Sequence, residues 1–274
     1  MADNAIAAVV QMTSGEDVAK NLARAGELVH KAARRGASLV VLPENVAFMG
    51  AEQGRLAVAE RFDPGAEPDG PIGRFARELS RETGAWVIWG GVPERSDDTH
   101  TNNTSVVFGA RGELVARYRK IHLFDVALAD GTTHTESRSV APGSDVVAVD
   151  TPVGRVGLSI CYDVRFPELY RRLVDAGATI LTVPAAFTVP TGRDHWHVLL
   201  RARAIESQCH VLAAAQWGLH GGGRTTYGHA LIADAWGTVL AECADGEGVA
   251  VAELDTARTE RIRATLPSLK HRRL

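Results

Sequence analysis

The stretch Arg155-Val-Gly-Leu-Ser-Ile-Cys161-Tyr-Asp-Val-Arg165-Phe-Pro-Glu168 carries a cysteine out of an apolar run into a polar turn ahead of a helix. Val156, Leu158 and Ile160 alternate with the period of a strand. Pro167 suits the first turn of a helix that continues through Leu169, Tyr170 and Leu173. The pattern therefore predicts a thiol at the carboxyl end of a strand, where open α/β sheets gather their sites. A lone cysteine is more often an inert core residue. Here two other apolar runs end in chemically useful groups: Pro43-Glu44-Asn45 closes one, and Tyr118-Arg-Lys120-Ile-His-Leu-Phe124 closes the other. If these ends share one sheet edge, a thiol meets a carboxylate and an ammonium. A neutral thiol is a weak nucleophile until an adjacent base takes its proton, and a fixed cation stabilises an oxyanion as it develops. Taken singly, Glu44 and Lys120 would each be ordinary solvated charges.

These groups need elements to hold them. Residues 5–11 predict a first strand and residues 17–35 an amphipathic helix, with Leu22, Ala25, Leu28, Val29 and Ala32 at helical spacing. The apolar run 38–42 fits a strand covered on both faces, which Pro43 ends at Glu44. A pocket-shaping loop around a short helix is expected over 49–70, a helix over 72–83, a strand over 85–91 and a polar turn over 94–101. Residues 104–108 and 113–118 predict a hairpin that delivers Lys120. Beyond a loop at 125–143, residues 146–149 and 155–160 predict another hairpin, and a helix follows over 166–176. Next come a strand at 179–183, a Pro- and Gly-bearing segment at 185–192, a helix at 194–208 and a strand at 211–216. Short strands at 228–233, 239–243 and 249–253 precede a last helix that Asp255 caps. Alternating helices and strands indicate an α/β class, and the hairpins exclude a purely parallel sheet. A mixed two-sheet sandwich with outer helices fits.

The 274 residues, 45% of them hydrophobic, are enough for one sizeable domain, and no linker-like stretch divides them. A formal net charge of -3 offers no basic field for nucleic acid. No apolar run reaches spanning length, and Met1-Ala-Asp-Asn lacks the basic start and apolar core of a secretory leader, so neither a membrane nor a nucleic-acid partner is expected. Cys161, Cys209 and Cys243 are widely spaced, unlike zinc ligands or a disulfide framework, and reduced thiols fit a cytoplasmic location. His195-Trp-His197 is a poor metal pair, because alternate residues on a helix face different ways and no third ligand clusters nearby. Packing or pocket-wall roles are expected for both histidines. A Cys/His pairing with His195 or His210 stays open on spacing alone, though the local papain signature is absent. Gly221-Gly-Gly223 lacks the Lys-Ser/Thr of a phosphate loop. No cofactor and no metal are expected.

Taken together, the three motifs in this order resemble those of the nitrilase superfamily of carbon–nitrogen hydrolases. The stretches Lys120-Ile-His-Leu-Phe124, Cys161 to Glu168, His195-Trp, Arg201-Ala-Arg-Ala-Ile-Glu206 and Tyr227-Gly-His229 are most similar to its Nit branch. The resemblance implies a four-layer αββα sandwich that dimerises. It also implies a catalytic set of Glu44 as base, Lys120 as oxyanion stabiliser and Cys161 as nucleophile. Glu136, in Thr135-Glu136-Ser137, matches the second glutamate of the family, which would fix the lysine and help position substrate. The backbone amide of Tyr162 would complete the oxyanion hole. Arg165 matches a position that holds a substrate carboxylate, for which a guanidinium fork is suited, and Phe187 and Thr191 match pocket positions. The implied reaction is hydrolysis of a side-chain amide on an α-keto dicarboxylate skeleton, with a dipeptide or ammonia leaving. With two carboxylates near one ammonium, the resting thiol is expected to be neutral.

Overall fold

In the computed structural model, residues 5–127 and 133–273 are described. The chain runs β1 (Ala5–Met12), α1 (Val18–Arg34), β2 (Leu39–Leu42), α2 (Glu52–Ala57), α3 (Pro71–Thr83), β3 (Trp86–Arg95), β4 (Thr101–Phe108) and β5 (Leu114–Arg119). A small pair, β6 (Asp125–Ala127) and β7 (Thr133–Thr135), lies in the expected loop, part of which falls outside the described residues. Then come β8 (Ala148–Thr151), β9 (Gly154–Leu158), α4 (Pro167–Asp175), β10 (Ile180–Thr182) and α5 (Val189–Ser207). The remainder is β11 (His210–Ala213), β12 (Ala215–Leu219), β13 (Thr225–Tyr227), β14 (Leu231–Ala233), β15 (Val239–Glu242), β16 (Gly248–Leu254) and α6 (Thr256–Thr265).

Alternation along the strands builds the layers. On β1, Ala7 and Val9 face one core, while Ala8, Val10 and Met12 face another. The second core packs against Leu22, Ala25, Leu28 and Val29 of α1 and Ile72, Ala76 and Leu79 of α3. The first core lies against a second sheet through Val156, Leu158, Leu181 and Val211, and reaches Tyr170 and Leu173 of α4 and Trp196 and Leu200 of α5. One sheet has the order β13-β12-β1-β2-β3-β4-β5, with β16 also on β1, and the other has the order β15-β14-β11-β10-β9-β8. Two mixed sheets between outer helices make the αββα sandwich. Among the described residues no helix is long and apolar enough to cross a membrane.

Three local expectations need correction. The apolar run 211–216 is two strands, because the chain leaves one sheet at Ala214: β11 pairs with β10, whereas β12 pairs with β1. The polar turn at 94–101 is shorter than expected, since β3 runs to Arg95 and β4 begins at Thr101. Glu94 stays in the strand because it is buried against Arg117 and Arg119, at 2.9 and 2.8 Å. Helix α5 starts at Val189 rather than 194, with Pro190 in its first turn, where a missing N–H costs nothing. A short 3-10 turn, Cys161–Arg165, precedes α4.

Candidate active site

Glu44, Lys120 and Cys161 arrive from both sheets. Glu44 follows β2 and Lys120 follows β5, both in the first sheet, while Cys161 follows β9 in the second. The sheets approach closely here because β3 carries Gly90-Gly91 at a bulge between Trp89 and Val92. A methyl group at Gly90 would stand 2.1 Å from the Leu42 carbonyl oxygen and 2.2 Å from Pro184 Cβ, and one at Gly91 would meet Asn103 Oδ1 at 2.6 Å. Only glycine fits that approach. Pro184 in turn accepts the Cys161 amide at 2.9 Å.

The Lys120 ammonium lies between two carboxylates. Its Nζ donates to Glu44 Oε1 at 3.0 Å and to Glu136 at 2.8 and 3.1 Å. The Asn103 amide donates to both acids, at 2.9 Å to Glu44 and 3.3 Å to Glu136. The other Glu44 oxygen accepts the Ala186 amide at 3.0 Å, and Glu136 accepts the Phe124 amide at 2.7 Å. Both Lys120 and Glu44 are buried. Burial opposes the Lys120 charge, but Glu136 and then Glu44 outweigh it and hold the ammonium's pKa above the ordinary lysine value. Burial likewise opposes charge on Glu136, yet the Lys120 ammonium keeps its carboxyl below the ordinary range. The Cys161 thiol is pushed far up, by burial first and then by the Glu44 carboxylate, with Lys120 offsetting only part. It rests protonated at neutral pH.

Cys161 itself sits at φ 49°, left-handed for a residue with a side chain. Asp163 holds the turn. Fully buried, it accepts the Ile160 amide at 2.8 Å and the Tyr118 hydroxyl at 2.7 Å on one oxygen. Its other oxygen takes the His122 amide at 3.0 Å and lies 2.7 Å from His122 Nδ1. Asp163 thus joins the turn after β9 to the end of β5 that bears Lys120. The Tyr162 amide lies at the start of the 3-10 turn, where helical N–H groups have no partner within the turn.

These groups line a cleft that is open at its mouth. All eight residues singled out from the sequence border it: Glu44, Lys120, Glu136, Cys161, Tyr162, Arg165, Phe187 and Thr191. Arg165 turns inward, with its guanidinium 5.3 Å from the Phe187 ring centroid and Nη1 3.2 Å from His195 Nδ1. Thr191 is in the first turn of α5, its hydroxyl 2.9 Å from that of Thr188. Arg224, also in the wall, donates through Nη2 to the Ala186 carbonyl at 2.8 Å, and its buried Nε has no hydrogen-bond partner among the described residues. Asn103, Asp163 and Arg224 were not anticipated. Asp163 had a signal, as a carboxylate two residues past a candidate nucleophile. Asn103 and Arg224 had none, because only the fold brings them to the cleft. His195, expected in the packing or a pocket wall, is exposed, its Nδ1 3.2 Å from Arg165 Nη1, and His197 points to His229 and Glu242.

A buried carboxylate, an ammonium and a thiol around one cleft can perform acyl transfer from nitrogen to water. The family model for carbon–nitrogen hydrolases matches residues 6–264. This chain belongs to the carbon–nitrogen hydrolase family. A relative from Synechocystis sp., named deaminated glutathione amidase, is 44% identical to this hydrolase over 271 residues, 97% of each chain. The solved C. elegans NitFhit protein superposes with a TM-score of 0.90 at 39% identity, over 100% of this hydrolase and 66% of that longer chain. Saccharomyces cerevisiae Nit3, of the nitrilase superfamily, superposes with a TM-score of 0.88 at 32% identity, covering 99% and 97%. The sandwich of this hydrolase is the nitrilase fold.

Proposed function

We propose that this chain is a thiol amidase acting on deaminated glutathione, releasing α-ketoglutarate and Cys-Gly. The observation that carries the chemistry is the buried Lys120 ammonium shared by Glu44 and Glu136 beside Cys161. In the proposed reaction the Glu44 carboxylate takes the thiol proton as sulfur attacks the amide carbonyl. The carbonyl oxygen becomes an oxyanion between Lys120 Nζ and the Tyr162 amide, donors already oriented before charge develops. Collapse breaks the carbon–nitrogen bond, and Glu44 returns its proton to the leaving amine. A thioester remains on Cys161. Glu44 then takes a proton from water as it attacks, and collapse of the second intermediate restores the thiol. Glu136 holds Lys120 in place. Thiol, carboxylate, ammonium and water balance the reaction, so no cofactor enters it.

Arg165 is proposed to hold the α-carboxylate of the keto-acid moiety, Phe187 to form an apolar wall and Thr191 to offer a hydroxyl. Arg224 adds a cation for the larger, dipeptide-bearing substrate. The Synechocystis relative's name supports this substrate. A single cytoplasmic hydrolase domain working as a homodimer completes the proposal. Its three free cysteines suit a reducing compartment, and Val198 and Ile205, seven positions apart on α5, expose 67% and 49% of their surfaces on one helix face.

The test is hydrolysis of deaminated glutathione and of α-ketoglutaramate by wild type and Cys161→Ala, following α-ketoglutarate. Turnover that depends on Cys161 and favours deaminated glutathione is expected. Preference for α-ketoglutaramate would make the enzyme an omega-amidase, and turnover surviving Cys161→Ala would exclude the covalent route. Net amide formation with an added amine would indicate acyl transfer.

A further inference from the structure

Outside the cleft, three potential metal ligands from distant parts of the chain converge. His197 Nε2, on α5, lies 2.8 Å from Glu242 Oε1 at the end of β15. His229 Nδ1, before β14, lies 3.0 Å from the same oxygen. The ligating atoms of all three lie within 4.8 Å of one another.

The backbone at His229 is unusual. Among the described residues, four non-glycine positions have positive φ: Asn45 and Cys161 in the cleft, Gln208 at the C-terminus of α5, and His229 at φ 59°. Only His229 lacks a role in the site or a helix cap. Such strained positions concentrate where a side chain must be aimed. The position is fixed on both sides: Trp196 Nε1 donates to the His229 carbonyl at 2.8 Å, and the Ala230 amide donates to Gln11 Oε1 at 2.9 Å. The imidazole is presented by a rigid backbone.

We propose that His197, His229 and Glu242 bind one divalent transition-metal ion, zinc by their chemistry, with water as the fourth ligand. Two imidazole nitrogens and one carboxylate oxygen are a zinc donor set, with bonds near 2.0–2.2 Å. Tetrahedral ligands at that distance are about 3.3 Å apart, so the 2.8 and 3.0 Å contacts need to open by roughly half an ångström or less. The three side chains are 26–33% exposed, which leaves room for that adjustment. Coordination through His229 Nδ1 leaves Nε2–H facing Asp245 Oδ1 at 3.8 Å. At 3.8 Å this carboxylate is beyond hydrogen-bond distance, and it would have to move closer to orient the ring as carboxylates do for zinc-bound imidazoles. Bound metal ties α5 to the β14–β15 edge; it takes no part in amide hydrolysis.

The test uses Cys161→Ala protein, so that the nucleophile cannot compete for metal. Zinc is measured by equilibrium dialysis against chelator-buffered zinc, with cobalt(II) absorption as a second readout. One equivalent of zinc, a tetrahedral cobalt spectrum and a metal-dependent rise in melting temperature are expected. All three should be lost in His229→Ala and in His197→Gln, which keeps a donor for Glu242 and so preserves the fold. No zinc binding by the parent protein, or binding unchanged in both variants, would overturn the site and leave two histidines hydrogen-bonded to a carboxylate.

Discussion

Replacing Lys120 with methionine should damage folding and catalysis by separable amounts. Glu44 and Glu136 hold the same ammonium at 3.0 and 2.8 Å, so their bound oxygens are at most about 6 Å apart. Without the cation, two like charges at that distance repel by at least about 3 kcal/mol at an effective dielectric near 20. Losing one partner from a buried charge cluster typically costs about 3–5 kcal/mol. Protonating one acid of ordinary pKa is the alternative; it costs about 4 kcal/mol near pH 7.5 but only about 1 near pH 5. The stability deficit of Lys120→Met, read from urea denaturation midpoints, should therefore be large at the higher pH and shrink at the lower. Adding Glu136→Gln at pH 7.5 should recover about 3 kcal/mol by removing the repulsion. Turnover should stay at least about a hundredfold down in both proteins, because neither has the oxyanion-stabilising cation. A deficit independent of pH, or no recovery in the double variant, would refute the electrostatic account. Turnover within tenfold of wild type would refute the oxyanion role.

Because burial and Glu44 raise the Cys161 pKa, alkylation of the free enzyme by iodoacetamide should accelerate about tenfold per pH unit beyond the ordinary thiol value of about 8.5; a plateau below neutrality would show a resting thiolate. At φ 49° glycine is less strained than alanine, so Cys161→Gly should melt above Cys161→Ala by the equivalent of about 1 kcal/mol, with both inactive. The depressed Glu136 carboxyl contributes stability above its unfolded pKa of about 4.3, lost as pH falls below that value. Acid melting of Glu136→Gln should lack that contribution, and an unchanged profile would mean the pair is not intact in solution. Asp163→Asn puts an N–H₂ group among amide and hydroxyl donors, so it should destabilise by about 1–3 kcal/mol and lower turnover with little change in KM; wild-type turnover would remove its positioning role.

The strands that carry Glu44 and Cys161 were legible because their local signals agree: an apolar run, a break and a polar group just past it. Where the reading failed, tertiary contacts had changed the meaning of a residue. Gly192 and Pro190 look like breakers, yet Pro190 suits a first turn, and a Cβ at Gly192 would stand 2.3 Å from Tyr227 Cβ. The glycine is there for packing. Glu94 looks like a turn residue until Arg117, Arg119 and Thr104 surround it. The run through Ala213, Ala214 and Ala215 has no pattern to mark a change of sheet, because all three are buried.

The same asymmetry governs the site. Residues that would react with substrate were named from their motifs, whereas those that align them were largely missed. Asn103 bridges the two acids and, through its carbonyl, accepts the Lys120 amide at 2.9 Å, so it fixes both the charge cluster and the strand end. Asp163 does the corresponding work for the nucleophile, joining Ile160 to Tyr118 and His122. Asn103 is not chemically telling at its position in the chain, and Asp163 shows only as a carboxylate two residues past the nucleophile. What makes them effective is that the two sheets meet at Gly90-Gly91, where Gly90 packs against Pro184, 94 positions further along the chain. Positioning in this enzyme is thus a property of the sheet junction. Substitutions at Gly90, Asn103 or Asp163 should alter the rate by moving Glu44, Lys120 and Cys161 relative to one another, while the groups themselves remain intact.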